Sequence, residues 1–201
     1  STPASAATAA TMTLPYDPSP AAARNGRIFL YDARKSAHGD SACASCHISG
    51  DFDSLAWDLG DPFGANVNNP NPFRLDITPP IGTGSPFHPM KGPMTTQSLR
   101  GMDTAGPMHW RGDRTGGNDA GGNALAEDQA FKKFNPAFVG LLGAQSQLTT
   151  GEMQAYTDFI LTVVYPPNPV RNLNDTLTTS QSAGQTVLTT GSRDANQPCT
   201  F

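Results

Sequence analysis

Residues 43 to 47 place two thiols and one imidazole within five consecutive positions, as Cys43, Cys46 and His47 of the stretch DSACASCHIS. Three kinds of chemistry use such a group. Two cysteines three apart, followed by a histidine, can add to the two vinyl groups of a porphyrin while the imidazole binds the iron. A structural zinc site needs a second pair of ligands at matching spacing. A redox-active cysteine pair favours a βαβ pattern around it.

The rest of the sequence favours the porphyrin. The later candidates for zinc, His88, His109 and Cys199, are far apart in the sequence, and no βαβ pattern surrounds the motif. We therefore expect one covalent haem c, bound through both cysteines of the motif, with His47 as the proximal iron ligand. An incidental C-x-x-C beside a surface histidine is the alternative.

The opposite face of the iron needs a separate ligand. The candidate residues come after the motif in the sequence. Met94 stands between a proline and two threonines, where a rigid turn can aim a thioether. An axial methionine raises the reduction potential and suits electron transfer. His88, Met90 and Met108 are the alternatives. Two further possibilities are that Met94 packs on the porphyrin without binding the iron, and that His88 is an exposed loop histidine.

Basic side chains of the same region are candidates for the haem propionates, because charge-assisted hydrogen bonds to carboxylates favour arginine. They are Arg74, Lys91, Arg100 and Arg111. We assign Arg100 to the cofactor site. A solvated surface charge is the alternative for each of them.

Composition is consistent with a domain that depends on a bulky apolar cofactor. Of 201 residues 37% are hydrophobic, and 20 Gly and 18 Pro leave a poor inventory for a core of this length. A buried porphyrin would supply the missing apolar bulk. The net charge of −4 argues against nucleic acid as a partner, because phosphate binding needs a basic surface. The apolar runs AFVGLLGA and FILTVVY are too short to span a bilayer.

Helical patterns must position the motif. Ser19 as N-cap, with Pro20 at the first helical position, predicts a helix through AAARNGRIFLYDAR. Residues 50–93 are rich in Gly, Pro, Asn and Asp without a helical or strand period, which predicts one long structured loop. The segment ALAEDQAFKKF at 124–134 predicts a short helix.

The last helix has the clearest pattern. Thr149 and Glu152 form a capping box at its start, and the sequence PPNP stops it. Its apolar face at helical spacing comprises Met153, Tyr156, Ile160, Val163 and Val164.

The order of helix, C-x-x-C-H, long loop and terminal helix is the layout of a class I cytochrome c fold. In that fold the first and last helices cross, with a small residue against an aromatic one. Gly26 with Phe29, against Tyr156 or Phe159, fits this role. The expected fold class is therefore mainly α: a cytochrome c-like helical domain with long Gly/Pro-rich loops around one covalent haem.

Four short pieces after the motif add a family resemblance. They are K-G-P from Lys91, H-W-R-G-D-R from His109, L-A-E-D-Q-A from Leu125 and N-P-A-F from Asn135. Together with the motif, they resemble the bacterial di-haem cytochrome c peroxidase and MauG-like superfamily, especially its N-terminal haem half, over about residues 19–165. The resemblance implies haem c, a redox partner protein or adjacent haem domain, and a periplasmic or extracellular location, because covalent haem attachment is an export-side chemistry.

One departure from the family bears on activity. The family's acidic residue in N-P-x-E-M, which assists O–O cleavage, corresponds to Phe138 here, and a methionine of its second haem domain corresponds to Phe134. Without a carboxylate beside the iron, no group is evident to move protons. We expect an electron-transfer module rather than an enzyme. A peroxidase or MauG-like haem oxidase with an open distal site is the alternative.

The chain divides by composition into three segments. Residues 1–18 form an Ala/Ser/Pro-rich linker, 19–170 the cytochrome c domain and 171–201 a tail. The tail resembles, in the order of its residue types, the run that leads to Cys43. Its last three residues, Cys199-Thr200-Phe201, match the first three positions of a second C-x-x-C-H motif that has been cut. The tail is thus expected to begin a second haem domain and to pack loosely here. An ordinary unpaired cysteine is the alternative.

Overall fold

The computed structural model describes most of the chain and divides it into two compact units. The described residues are 12, 15–66, 88–90, 92–104, 106–109 and 114–190. The units are Ser1–Val164 and Tyr165–Phe201, so the division falls before the boundary at 170 that the sequence suggested. Cys199 and most of the N-terminal linker lie outside the described residues. The hypothesis that Cys199 begins a second C-x-x-C-H motif therefore stays a prediction.

The first unit is mainly helical with one small sheet. Its helices are α1 (Ala21–Tyr31), α2 (Glu127–Lys132), α3 (Ala137–Gly140) and α4 (Thr150–Ile160), and its strands are β1 (Ala56–Asp58) and β2 (Pro93–Thr95). Short 3-10 turns lie between them at Ala33–Lys35, Cys43–Ser45, Ile48–Gly50, Met102–Thr104 and Gly116–Asn118. The mainly α class is thus confirmed at the level of the elements.

Helix α1 begins and ends differently from the prediction. Pro20 is the N-cap, with an extended ψ of 151°, so Ser19 lies outside the helix and its N-cap assignment is wrong. The helix ends at Tyr31 instead of continuing through Arg34. The reason is local: the Asp32 carboxylate accepts the backbone N–H of Arg34 at 2.9 Å, which starts a separate 3-10 turn.

Helix α4 begins as predicted. The backbone N–H of Thr149 donates to the Glu152 carboxylate at 3.0 Å, and the N–H of Glu152 donates back to the Thr149 hydroxyl at 3.3 Å. The helix ends at Ile160, so the predicted continuation of the apolar face is wrong at Val164, which is 68% exposed. Beyond Ile160 the bonds are of the i to i−3 kind, from the Thr162 N–H to the Phe159 carbonyl at 2.9 Å and from the Val163 N–H to the Ile160 carbonyl at 3.1 Å. The Val163 carbonyl is bonded by a neighbouring loop.

That neighbouring loop is the one around Gly101. Its backbone N–H donates to the carbonyl oxygen of Val163 at 2.7 Å. The helical partner of the Val163 carbonyl would be the N–H of residue 167, but that residue is a proline and has none. Val163 packs only partly against the core.

The crossing of α1 and α4 confirms the prediction of a small residue against an aromatic one. A Cβ atom at Gly26 would lie 2.1 Å from the carbonyl oxygen of Ala155 and 2.4 Å from Cβ of Phe159. Any side chain at this position would push the two helices apart. The crossing brings Phe29 to Tyr156, with their ring centroids 6.1 Å apart.

Tyr156 is the centre of an aromatic cluster in the core. Phe131 and Phe138 pack edge-on against it, with ring centroids 5.0 and 6.1 Å away. The buried apolar residues around it are Phe29, Leu30, Met102, Phe131, Phe138, Leu148, Met153, Tyr156, Phe159 and Ile160. The core of the first unit thus lies where α1, α2 and α3 meet α4.

The helix predicted over 124–134 is shorter than expected. Asn123 accepts the N–H of Leu125 at 2.9 Å through its side chain, and this local turn delays the start of α2 to Glu127. The chain turns again after Lys132 before α3 begins.

The long loop predicted over residues 50–93 contains regular structure at both ends. Strands β1 and β2 pair antiparallel, with Trp57 opposite Met94. Residues 67–87 lie outside the described residues. Three-residue strands are too short to display a period of two, so the sequence could not indicate them.

The second unit contains one helix, α5 (Thr179–Thr190). Thr178 and Gln181 cap its start: the Thr178 N–H donates to the Gln181 side chain at 2.8 Å, and the Gln181 N–H donates to the Thr178 hydroxyl at 3.3 Å. No described residue of this unit is buried. In neither unit is any described helix both long and apolar enough to cross a membrane.

Candidate functional site

The three residues of the motif project from one turn. The backbone N–H groups of Cys46 and His47 both donate to the carbonyl oxygen of Cys43, at 3.3 and 2.9 Å. The Ser45 hydroxyl accepts the N–H of Ala42 at 3.0 Å and so fixes the start of the turn. All three functional side chains are half-buried, and Cys43 packs against the core cluster.

The two thiols are not activated. Burial raises the pKa of Cys43, although a hydrogen bond with Tyr156 opposes this. Burial raises the pKa of Cys46 too, helped by the negative charge of Asp53. Redox-active C-x-x-C pairs work by a lowered thiol pKa, and these two cysteines form no disulfide. The environment therefore does not favour disulfide exchange.

A closed zinc set is not assembled around the motif either. Over the residues with described positions, no three His, Cys, Asp or Glu side chains gather in a way that could hold a metal ion. A structural zinc site needs four such ligands. The described residues therefore do not supply the further ligands that a zinc site at this motif would need.

His47 is oriented for iron binding through one ring nitrogen. Its Nδ1–H donates to the backbone carbonyl oxygen of Gln97 at 2.8 Å. Burial lowers the pKa of His47, although the bond to Gln97 raises it, so the imidazole is neutral at neutral pH. A neutral imidazole that donates from Nδ1 carries its lone pair on Nε2, which is the arrangement of metal-binding histidines in proteins.

A strap, which we define as residues 92–101, holds the Gln97 carbonyl in position. It runs antiparallel to the segment after the motif: the Thr96 N–H donates to the Leu55 carbonyl at 3.3 Å, and the Leu99 N–H donates to the Gly50 carbonyl at 3.0 Å. The β1–β2 pair continues this ladder beyond Leu55. The strap thus links the region of Met94 to His47.

Arg100, at the end of the strap, contacts the loop after the motif. Its guanidinium lies 3.0 Å from the Asp51 carboxylate and donates to the carbonyl oxygen of Ser49 at 3.2 Å. The Arg100 and Asp51 side chains are 24% and 25% exposed. The propionate role expected for Arg100 stays a prediction.

The four candidates for the sixth ligand lie in different surroundings. Met94 is half-buried on β2, opposite Trp57. His88 is exposed, and its ring accepts the backbone N–H of Met90, which is 45% exposed. Met108 is half-buried and packs against the core cluster. Their roles as ligands stay predictions.

Several large apolar side chains are exposed just after the motif. They are Ile48, Phe52, Leu55, Trp57, Leu59 and Phe63, each at least 41% exposed. Exposed apolar side chains beside the motif are compatible with a bound apolar group there. The indole N–H of Trp57 donates to Asp53 at 2.9 Å, which fixes one of these side chains.

These observations fit a covalent haem. Two thiols on one turn stand next to an imidazole whose Nε2 carries the lone pair, beside a stretch of exposed apolar side chains. Sequence reasoning missed Gln97, Asp53 and the Tyr156 hydroxyl. Gln97 acts through its backbone carbonyl, which no residue type can signal. Tyr156 was expected in the core but not beside Cys43.

Comparisons with known proteins add little. No family model matches the chain, and no curated protein matches it. A solved structure of Kuenenia stuttgartiensis hydrazine synthase, pressurised with 20 bar xenon, is similar at a TM-score of 0.49 and 20% identity, over 83% of this chain and 44% of that one. The chain thus spans less than half of the length of that protein's chain. A likeness of this degree identifies neither a family nor an activity.

Proposed function

We propose that the first unit is a c-type cytochrome domain that transfers electrons through one covalent haem. Cys43 and Cys46 form the two thioether bonds, and His47 binds the iron through Nε2. The haem supplies the one-electron chemistry when bound. The protein orients the imidazole, covers the porphyrin with apolar side chains and sets the reduction potential.

The observation that carries the proposal is the hydrogen bond from His47 Nδ1–H to the Gln97 carbonyl, at 2.8 Å. An incidental histidine after a C-x-x-C has no need of a fixed tautomer. An iron ligand does, because the hydrogen bond on one nitrogen leaves the other nitrogen as a pure electron-pair donor.

Electron transfer is favoured over peroxide chemistry by the side chain that replaces the family's acidic residue. Phe138 is 3% exposed and packs edge-on against Tyr156 in the core. An apolar ring in that position can neither accept nor deliver a proton. We therefore expect peroxide-dependent oxidation of a small electron donor to be no faster than with free haem.

The sixth ligand is a separate part of the proposal. Met94, half-buried on β2, would supply a thioether to the iron, with His88, Met90 and Met108 as the alternatives. A methionine ligand raises the reduction potential, which suits electron transfer.

Partner and location follow from the same proposal. A haem domain of this kind exchanges electrons with a redox partner protein or an adjacent haem domain. Covalent attachment implies maturation on the export side of a membrane, hence a periplasmic or extracellular protein. The net charge of −4 argues against nucleic acid as a partner, because phosphate binding needs a basic surface.

The test is production of the full chain in an exporting host that attaches haem to C-x-x-C-H motifs. The purified protein should keep its haem after denaturation and acid–acetone extraction, with the reduced pyridine spectrum of a doubly thioether-linked haem. Cys43→Ser with Cys46→Ser should lose it, whereas Cys199→Ser, the matched control for the third thiol, should not. A wild-type chain without covalent haem, or a double variant that keeps it, would refute the proposal.

A further inference from the structure

Arg100 holds the end of the strap against the loop after the motif, and we call its contacts there the clamp. The same strap carries the hydrogen-bond partner of His47. Arg100 bonds the Asp51 carboxylate at 3.0 Å and the Ser49 carbonyl at 3.2 Å, both on the loop that follows His47. Three residues back along the strap, the Gln97 carbonyl accepts the His47 Nδ1–H. The clamp and the imidazole bond therefore belong to one short loop closure.

The loop that receives the clamp has an unusual backbone. Ser49 and Gly50 both have positive φ, at 55° and 72°. Their carbonyls accept from consecutive residues of the strap, Arg100 and Leu99. Serine adopts this conformation only when its surroundings stabilise it. The Arg100 guanidinium supplies two bonds to this loop, one to the Ser49 carbonyl and one to the Asp51 carboxylate.

We propose that Arg100 is a positioning residue for the axial histidine. Its ion pair with Asp51 holds the strap so that the Gln97 carbonyl stays on His47 Nδ1–H, and this bond tunes the reduction potential of the iron. Arg100 thus acts on the haem through Asp51 and the strap rather than through a propionate. The inference rests on the function proposed above.

The direction of the effect follows from imidazole chemistry. A carbonyl that accepts the Nδ1–H makes the imidazole a stronger electron donor, which favours the oxidised iron and lowers the potential. Loosening the strap weakens that bond. The iron should then be reduced more easily, so the potential should rise.

The experiment compares Arg100→Gln, Asp51→Asn and the double variant, with Arg100→Lys as the conservative control. At an ambient potential near the wild-type midpoint, each of the two single variants should raise the ratio of reduced to oxidised haem by about tenfold, which is 59 mV for one electron. The double variant should add little to either single change, because both remove one clamp. Arg100→Lys should retain most of the wild-type potential, since it keeps the ion pair.

A spectroscopic measurement separates positioning from loss of stability. The exchange rate of the His47 Nδ1 proton with solvent, followed by NMR in the reduced low-spin protein, should rise in Arg100→Gln and in Asp51→Asn, because it reports the strength of the bond at Nδ1. A merely structural role would lower the unfolding temperature and leave this exchange rate unchanged, and that result would overturn the inference.

The propionate alternative also has a distinct outcome. If Arg100 bonds a propionate, Arg100→Gln should shift the potential and Asp51→Asn should not. If Arg100→Gln fails to fold, Asp51→Asn decides the matter: a folded variant with the wild-type potential refutes the clamp. A wild-type chain without covalent haem would instead refute the proposed function, and so the two failures are distinguishable.

Discussion

The orientation of His47 is set by the strap. The His47 Nδ1–H donates to the Gln97 carbonyl at 2.8 Å. The strap that carries Gln97 is itself held by backbone hydrogen bonds to Gly50 and Leu55. A change in the strap should therefore reach the imidazole directly.

The first prediction concerns the sixth ligand. Met94→Ala should produce a high-spin spectrum of the oxidised iron, because the proposal makes the Met94 thioether the sixth ligand. Met108→Ala, which removes a methionine of the same size from another segment, should leave the spectrum low-spin. Absorption spectra of the two oxidised variants provide the measurement. A low-spin Met94→Ala beside a high-spin Met108→Ala would contradict this assignment.

At this scale the sequence indicates candidate site residues but not their surroundings. The assignment of Cys43, Cys46 and His47 to a haem follows from their spacing and stays a prediction. The partner of the imidazole could not be predicted, since a backbone carbonyl of Gln97 looks like any other carbonyl. The placement of Arg100 beside Asp51 depends on a pairing of two segments 49 residues apart.

At the level of elements, the crossing of α1 and α4 supports the motif. The α1 helix leads into the turn that bears Cys43, and Tyr156 of α4 forms a hydrogen bond with that thiol. The close approach at Gly26 allows this arrangement. A change in the distance between the two helices should therefore affect both stability and the site.

The second prediction tests this crossing. Gly26→Ala should destabilise the first unit by about 1–3 kcal/mol or more, because the new Cβ would meet the backbone oxygen of Ala155 at 2.1 Å. Gly184→Ala is the matched control: nothing lies within 4 Å of the added Cβ, so α5 should gain about 0.5–1 kcal/mol of local helix stability. Urea unfolding measures both. Equal stabilities of wild type and Gly26→Ala would disprove close packing here.

The third prediction uses the capping box of α4. Hydrogen bonds from Lys35, at 2.7 Å, and from the Thr149 N–H lower the pKa of Glu152 from 4.5 to about 2. A carboxyl whose folded pKa is lowered contributes stability above its unfolded pKa and loses it as pH falls toward the folded value. Glu152→Gln should therefore cost about 1 kcal/mol at pH 7 and much less near pH 2.

Urea unfolding of wild type and variant at pH 7, 4 and 2.5 measures the difference. Lys35→Met removes the other partner of Glu152. The difference between its unfolding free energy and that of the wild type should also become smaller as the pH falls. A Glu152→Gln difference that stays constant across this range would show that the carboxylate charge contributes nothing.

The elements differ in how far local signals specify them. The start of α4 was predictable because a capping box is a local signal with a local mechanism. The exact end of α4 was not, because its last turn tightens into i to i−3 bonds several residues before the PPNP stop. Strands β1 and β2 were hidden because their pairing joins residues on either side of a long loop.

On the scale of the whole molecule, the two units differ in what holds them together. All the buried apolar residues in the described part belong to the first unit, from Phe29 to Ile160. In the second unit, α5 has its own cap, while Val187 and Leu188 are 46% and 48% exposed. The sequence echo between α5 and the run before Cys43 had suggested a second domain, and that suggestion stays a prediction.

The last prediction concerns the independence of the first unit. A chain that stops after Pro167 should bind haem as the full chain does and should unfold within about 2 °C of it, because it retains the aromatic cluster around Tyr156 and the α1–α4 crossing. A chain that stops after Thr149 is the control: it lacks α4, and with it Met153, Tyr156 and Ile160 of the core, and should not fold. Thermal unfolding and the covalent haem content of the three chains provide the measurement. A fall of several degrees, or loss of haem, in the chain that ends at Pro167 would show that residues of the second unit contribute to the stability of the haem domain.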